Sequence, residues 1–105
     1  GIGPTPLFAA AEKGHENVVQ ALIELGADVN KAIDDGTTAL FFAAQEGHEA
    51  VLRALIKVGA DVNKARDDGV TPLIIASQND HEAVVRALIE ASAEINKATG
   101  NWTPL

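Results

Sequence analysis

The stretch that decides the fold is GHENVVQALIELGADVN, Gly14 to Asn30, because the chain writes it twice more, as GHEAVLRALIKVGADVN from Gly47 to Asn63 and DHEAVVRALIEASAEIN from Asp80 to Asn96. His15, His48 and His81 stand 33 residues apart, and so do Leu7, Leu40 and Leu73. A fixed period of this length means a stack of similar units, none of which buries its apolar face alone. The last step, Leu73 to Leu105, is 32, because KATGNWTPL is one residue shorter than KARDDGVTPL. The missing residue falls in a turn, where a deletion is most easily accommodated.

Working outward, each unit opens on a threonine, Thr5, Thr38 or Thr71, whose hydroxyl can accept a bond from a free backbone N–H at a helix start. Pro6 and Pro72 occupy the first helical position, which needs no donor, and Ala39 is tolerated there. A short helix is predicted to run to about Lys13, Glu46 and Asn79, with small residues (Ala10 and Ala11, Ala43 and Ala44, Ala76 and Ser77) that let a neighbouring backbone approach. Gly14 and Gly47 end it in the left-handed manner, and a second helix begins at His15 and His48. In that helix Val18, Val19, Leu22 and Ile23 recur as Val51, Leu52, Leu55 and Ile56 and as Val84, Val85, Leu88 and Ile89, which paints one broad apolar stripe. Gly26 and Gly59 stop the second helix, and Asp35-Gly36 and Asp68-Gly69 mark a following turn. Helices of about ten residues or fewer are marginal alone in water, so each stripe must lie on the next unit.

Composition narrows the function. The chain has 105 residues, 47% of them hydrophobic, and reads as one soluble globular domain. Eight basic against 15 acidic residues leave a formal charge of −7, which repels a phosphate backbone and speaks against nucleic acid. With no cysteine there is no disulfide and no thiolate zinc site, and an intracellular, cytoplasmic setting is expected. The longest apolar run, Ala39 to Ala44, is too short to cross a bilayer, so no membrane partner is expected. Methionine is absent too, which suggests a processed, excised or designed product.

The strings GPTPLFAAAEKGH, GTTALFFAAQEGH and GVTPLIIASQNDH, each followed by the elements quoted above, resemble ankyrin repeats over essentially the whole chain. The resemblance implies an all-α solenoid of stacked helix-turn-helix units with short projecting β-hairpins. The expected units are residues 3–35, 36–68 and 69–100, with 101–105 opening a fourth. There are departures. Phe8, Phe41 and Ile74 stand where the family usually has histidine, so packing is expected in place of a polar network. Ile33, Arg66 and Thr99 stand where it usually has aspartate before the turn, which puts the usual hairpin hydrogen bonding in question. Asp80 and Ser92 replace the two glycines of the third unit, each losing about 1 kcal/mol of left-handed freedom.

Chemistry-bearing patterns weigh little beside this. His15-Glu16, His48-Glu49 and His81-Glu82 begin like the HExxH zinc motif, but Val19, Leu52 and Val85 stand where the second histidine belongs. Asp28-Val29-Asn30 starts like a calcium loop, yet Ala32 and Ile33 replace its third ligand and turn glycine, and Asp61-Val62-Asn63 fails in the same way. Both aspartates read as turn residues. Ser77 and Ser92 lie in no nucleophile elbow, and Ser77 is expected in a small packing slot. No catalytic residue, metal or cofactor is assigned, and a hydrolytic enzyme is the most distant reading.

What varies between units is more informative. The hairpin tips carry Ile33, Asp34, Asp35 and Thr37, then Arg66, Asp67, Asp68 and Val70; the ends of the first helices carry Glu12 and Lys13, Gln45 and Glu46, Gln78 and Asn79. In ankyrin repeats the matching positions line a concave face that contacts another protein, so non-catalytic protein binding is the expected function, with a basic partner surface favoured by the aspartates. The other reading is structural: a segment of a longer array, or an engineered consensus-like scaffold with no natural partner. A monomer is expected, with weak head-to-tail self-association of uncovered end faces as the alternative, and Trp102 is expected to fold over the third unit as a lid.

With both of its glycine positions altered, the third unit should be the least stable. Amide hydrogen exchange, termini aside, is expected to be fastest between Asp80 and Asn96, and equal protection across the units would contradict this.

Overall fold

The computed structural model describes the backbone of residues 5–99 and the side-chain surroundings of residues 5–92, so Trp102 and the start of a fourth unit lie outside the described residues. The described helices are α1 (Pro6–Lys13), α2 (Glu16–Glu24), α3 (Ala39–Glu46), α4 (Glu49–Lys57), α5 (Pro72–Gln78) and α6 (Glu82–Thr99). The first helices α1, α3 and α5 form one layer and the second helices α2, α4 and α6 the other, with each first helix packed on the second helix of its own unit. The architecture is the all-α solenoid that the period requires.

Local signals place the helix ends. The hydroxyls of Thr5, Thr38 and Thr71 accept from the amides of Phe8, Phe41 and Ile74 at 3.4, 3.2 and 3.1 Å. Between second helix and next first helix the chain makes a tight loop closed by an antiparallel bridge, Ala32 to Thr38, the one isolated bridge among the described residues.

Burial shows what holds the stack together. Equivalent valines open the stripes of α2, α4 and α6: Val51 and Val84 are each 1% exposed, but Val18, with no described unit before it, is 48% exposed. The reverse holds on the other side of each unit, where Phe8 and Phe41 are 3% and 0% exposed and their counterpart Ile74 is 42% exposed. The expected stripe is therefore buried by the neighbouring unit, and Val18 departs from it where no described unit precedes it. Full burial of a valine stabilises by roughly 1.5 kcal/mol or more, so each junction supplies cohesion that a unit does not make alone. Phe8 also meets Phe42 of the next first helix edge-on, with centroids 5.9 Å apart.

Two expectations for the third unit need correction. Ser77 occupies no packing slot. It is exposed, and its hydroxyl donates to the Leu73 carbonyl at 2.7 Å, because no described unit covers the position where Ala11 and Ala44 are fully buried. Ser92 carries no left-handed cost, because α6 runs through it to Thr99, whereas α2 and α4 stop at Glu24 and Lys57. With serine in place of glycine the helix simply continues. The cost that remains is at Asp80, which holds the left-handed φ of 59° without being a glycine.

Polar ties set the register between units. Nε2 of His48 donates to the Glu12 carbonyl and Nε2 of His81 to the Gln45 carbonyl, each at 2.9 Å. Asn30 spans the second helices' ends, donating to the Gly59 carbonyl at 3.1 Å and accepting from the Asp61 amide at 2.7 Å. The imidazoles explain Gly14 and Gly47 twice over. Both have φ near 76–77°, and a Cβ built on either would lie 2.6 Å from Nδ1 of the next unit's histidine. Alanine at Gly47 should thus meet the left-handed penalty of about 1–2 kcal/mol and a clash besides, whereas Gly59, equally left-handed, has nothing within 4 Å. Denaturant unfolding should find Gly47→Ala at least about 1 kcal/mol more destabilising than Gly59→Ala, with the difference removed in a His81→Ala background. Equal costs would show that the ring contact is unimportant.

Candidate partner-binding surface

The variable residues form a row because the elements that carry them stack. In the first hairpin the Ile33 amide donates to the Thr37 carbonyl and the Gly36 amide to the Ile33 carbonyl, each at 2.9 Å. The second repeats this, with the Arg66 amide to the Val70 carbonyl and the Gly69 amide to the Arg66 carbonyl, each at 2.8 Å. These are three-residue hairpin loops with glycine in the left-handed position. The tips are also joined to each other, since the Asp67 amide donates to the Asp35 carbonyl at 2.8 Å. The altered residues at positions 33 and 66 therefore leave the backbone pairing intact.

Side chains at the tips divide into those turned to structural use and those left at the surface. Oδ1 of Asp35 accepts from the amide and hydroxyl of Thr37 at 3.0 and 2.6 Å, and Thr37 is 3% exposed, so this residue lies inside the hairpin and not on its outer surface. Ile33 is half-buried and packs on the core. Arg66 replaces it in the next hairpin by laying its guanidinium 4.9 Å above the Phe41 ring while Nη2 pairs with Asp68 at 2.8 Å. Asp68 also accepts from the Val70 amide at 3.1 Å, and Val70 is half-buried. Asp34 and Asp67 are exposed at the tips.

Along the first helices Glu12, Lys13, Glu46, Gln78 and Asn79 are exposed and Gln45 is half-buried. The Asn79 side chain donates to the Gln45 carbonyl at 3.0 Å, beside the bond from His81. The fourteen candidate residues hold six carboxylates and two cations, one of them, Arg66, already paired with Asp68. The surface is acidic.

Sequence reasoning missed His48, His81 and Asn30 as ties between units. Their recurrence was visible, but recurrence does not say which carbonyl an imidazole reaches. His48 and His81 each commit Nε2 to a carbonyl, and no group of three or more potential metal ligands gathers among the described residues. Asp28 and Asp61 serve as turn residues, accepting from the amides of Asn30 and Asn63 at 3.0 Å. No helix among the described residues is long and apolar enough to cross a membrane. A cleft of about 160 Å³ between α4 and α6 lies away from the candidate surface, spanned by Arg53, which pairs with Glu49 and Glu90 at 2.9 and 3.5 Å.

A family model described as ankyrin repeats in three copies matches residues 2–66, and one for a single ankyrin repeat matches residues 68–100. The chain belongs to the ankyrin repeat family. A crystal structure of the human ASB11 ankyrin repeat domain is similar over 84% of this chain, with 34% identity and a TM-score of 0.82. The ankyrin chain described here spans 40% of the length of that one. No curated protein matches the sequence. Ankyrin repeats are in general protein–protein interaction modules, typically without catalytic activity.

Asp35 and Asp68 are held below the ordinary carboxylate value of 3.8, Asp35 by the Thr37 hydroxyl and amide and Asp68 by Arg66 and the Val70 amide. A depressed folded pKa adds stability that is present above the unfolded value and lost as pH falls through the folded one. Both carboxyls should therefore titrate below 3.8 when followed by NMR, and over that same acid range the protection of the Thr37 and Val70 amides should fall. Midpoints at or above 3.8 would show that the hydrogen bonds do not persist in solution.

Proposed function

We propose that this chain is a non-catalytic binding module that takes a protein partner with a basic surface along its concave face, using the hairpin tips and the ends of α1, α3 and α5. The reading divides the chain into units of residues 3–35, 36–68 and 69–100. The observation that carries it is the direct bond from Asp67 to Asp35, which makes two neighbouring tips one continuous edge. A partner meeting that edge has little backbone to order, and ordering is a main cost of association. Variation of residue type along a scaffold of constant geometry is what recognition of one partner needs.

The charge on the face adds a rate effect. Exposed carboxylates steer a basic partner into encounter, and salt screens that attraction. Asp35 and Asp68 are unsuitable for the test because they hold the hairpins together. Glu12, Glu46 and Asp67 are exposed and serve better. The combined variant Glu12→Gln, Glu46→Gln, Asp67→Asn should melt like the parent. It should retain less of any protein captured on the immobilised parent chain, and associate with it more slowly and with weaker salt dependence. The outer-layer pair Gln20→Ala and Arg86→Ala should change neither. Binding lost through the outer pair and kept by the acidic variant would move the interface to the other side of the stack.

A further inference from the structure

We propose that the Phe41 ring and the Asp68 carboxylate form a guanidinium site, filled in the free chain by Arg66, and that an arginine of a protein partner enters it by displacing Arg66. Use of the site by a partner rests on the binding role proposed above, whereas the site itself follows from side-chain contacts. The Arg66 guanidinium lies 4.9 Å above the centroid of the Phe41 ring. Nε donates to the two Asp68 oxygens at 3.1 and 3.2 Å, and Nη2 donates to Oδ2 at 2.8 Å. The Asp35 carboxylate acts on the same charge from nearby. A ring face beneath a cation and a carboxylate gripped by two nitrogens of one planar fork together suit arginine and not lysine, whose ammonium is a point charge. The first hairpin has no such arrangement: Ile33 stands in place of Arg66 and packs on the core, and the ring of Phe8 is met edge-on by Phe42.

Arg66 can leave without opening its hairpin. Its amide bonds the Val70 carbonyl just as the Ile33 amide bonds that of Thr37, so the loop closes whichever side chain stands there. Solvent reaches both members of the ion pair, with side-chain exposures of 27% for Arg66 and 53% for Asp68. Ion pairs and cation–π contacts of that accessibility are weak, so neither pins the side chain in place. A partner arginine restores both contacts on the ring and the carboxylate, while the released Arg66 regains rotamer freedom. Phe41 is fully buried with Arg66 laid over it, so a departing Arg66 uncovers part of an aromatic face that a flat cation can cover again while it pairs with Asp68. Exchange of one guanidinium for another thus discriminates between basic partners, favouring arginine over lysine, which charge alone does not do.

NMR titration tests the site with small cations. In the Arg66→Ala variant, methylguanidinium should give saturable shifts at the Phe41 ring protons and the Val70 amide, and bind at least about tenfold more tightly than methylammonium. Adding Asp68→Asn, whose side-chain oxygen can still accept from the Val70 amide, should abolish those shifts. In the parent chain, which needs no substitution, an oligoarginine peptide should move the Arg66 Nε–H signal to that of a solvated arginine, and oligolysine of the same length should leave it in place. The combined Glu12→Gln, Glu46→Gln, Asp67→Asn change should weaken oligoarginine binding, and in the Arg66→Ala background it should leave methylguanidinium binding unaltered. Oligoarginine affinity indifferent to that change would overturn the acidic-face reading and leave the guanidinium site standing. The site is refuted if the two small cations act alike or if Asp68→Asn has no effect, and displacement is refuted if the Arg66 signal stays put under saturating oligoarginine.

Discussion

Everything in this protein depends on the contact between successive units. Each helix except α6 is seven to nine residues long, below the length at which an isolated helix persists in water. The difference between Val18 and Val51, chemically equivalent and placed identically in their helices, shows where the missing stability comes from. Val51 has a described unit over it, and Val18 has none among the described residues. Stability in such a molecule is a sum of weak units and strong junctions, which makes the junction the object on which mutation and selection act.

Apolar burial alone would let the units slide, since it is non-directional. The histidine and asparagine ties remove that freedom. A carbonyl can only accept, so the bonds from His48 and His81 require a protonated Nε2 and a single position of the ring along the preceding helix end. The rings in turn forbid a side chain at the residue beneath them. Glycine there is needed for its backbone conformation and for its lack of bulk, and the two needs are separable at Gly59, where only the first applies. The register fixed at the helices is carried to the tips, where the bond between Asp67 and Asp35 continues it.

A surface built this way is constant in shape and free in composition. The backbone bonds that close the hairpins do not depend on positions 33 and 66, which hold isoleucine in one unit and arginine in the next, each finding its own packing on the core side. Function in such a fold resides in the residues the framework does not use. Here the framework uses more than a sequence reading assigns to it: Thr37, Asp35, Asp68 and Arg66 are engaged in holding the tips, which leaves Glu12, Lys13, Glu46, Asp67 and Gln78 as the more available side chains.

The sequence by itself determined the period, the threonine caps, the left-handed helix ends and the division into two helices and a turn, because each rests on residues within a few positions of one another. Hydroxyl to amide at Thr5, Thr38 and Thr71 is a local geometry that no distant contact needs to supply. Only the tertiary structure decided which of three equivalent residues is buried. Val18, Ile74 and Ser77 read the same as their counterparts, but their exposure depends on whether another unit lies beyond them, a fact that no local pattern contains. The continuation of α6 through Ser92, the stacking of Arg66 on Phe41 and the burial of Thr37 belong to the same class. Each is settled by what the rest of the chain brings alongside, because burial and ring contacts are properties of pairs of segments and not of either segment alone.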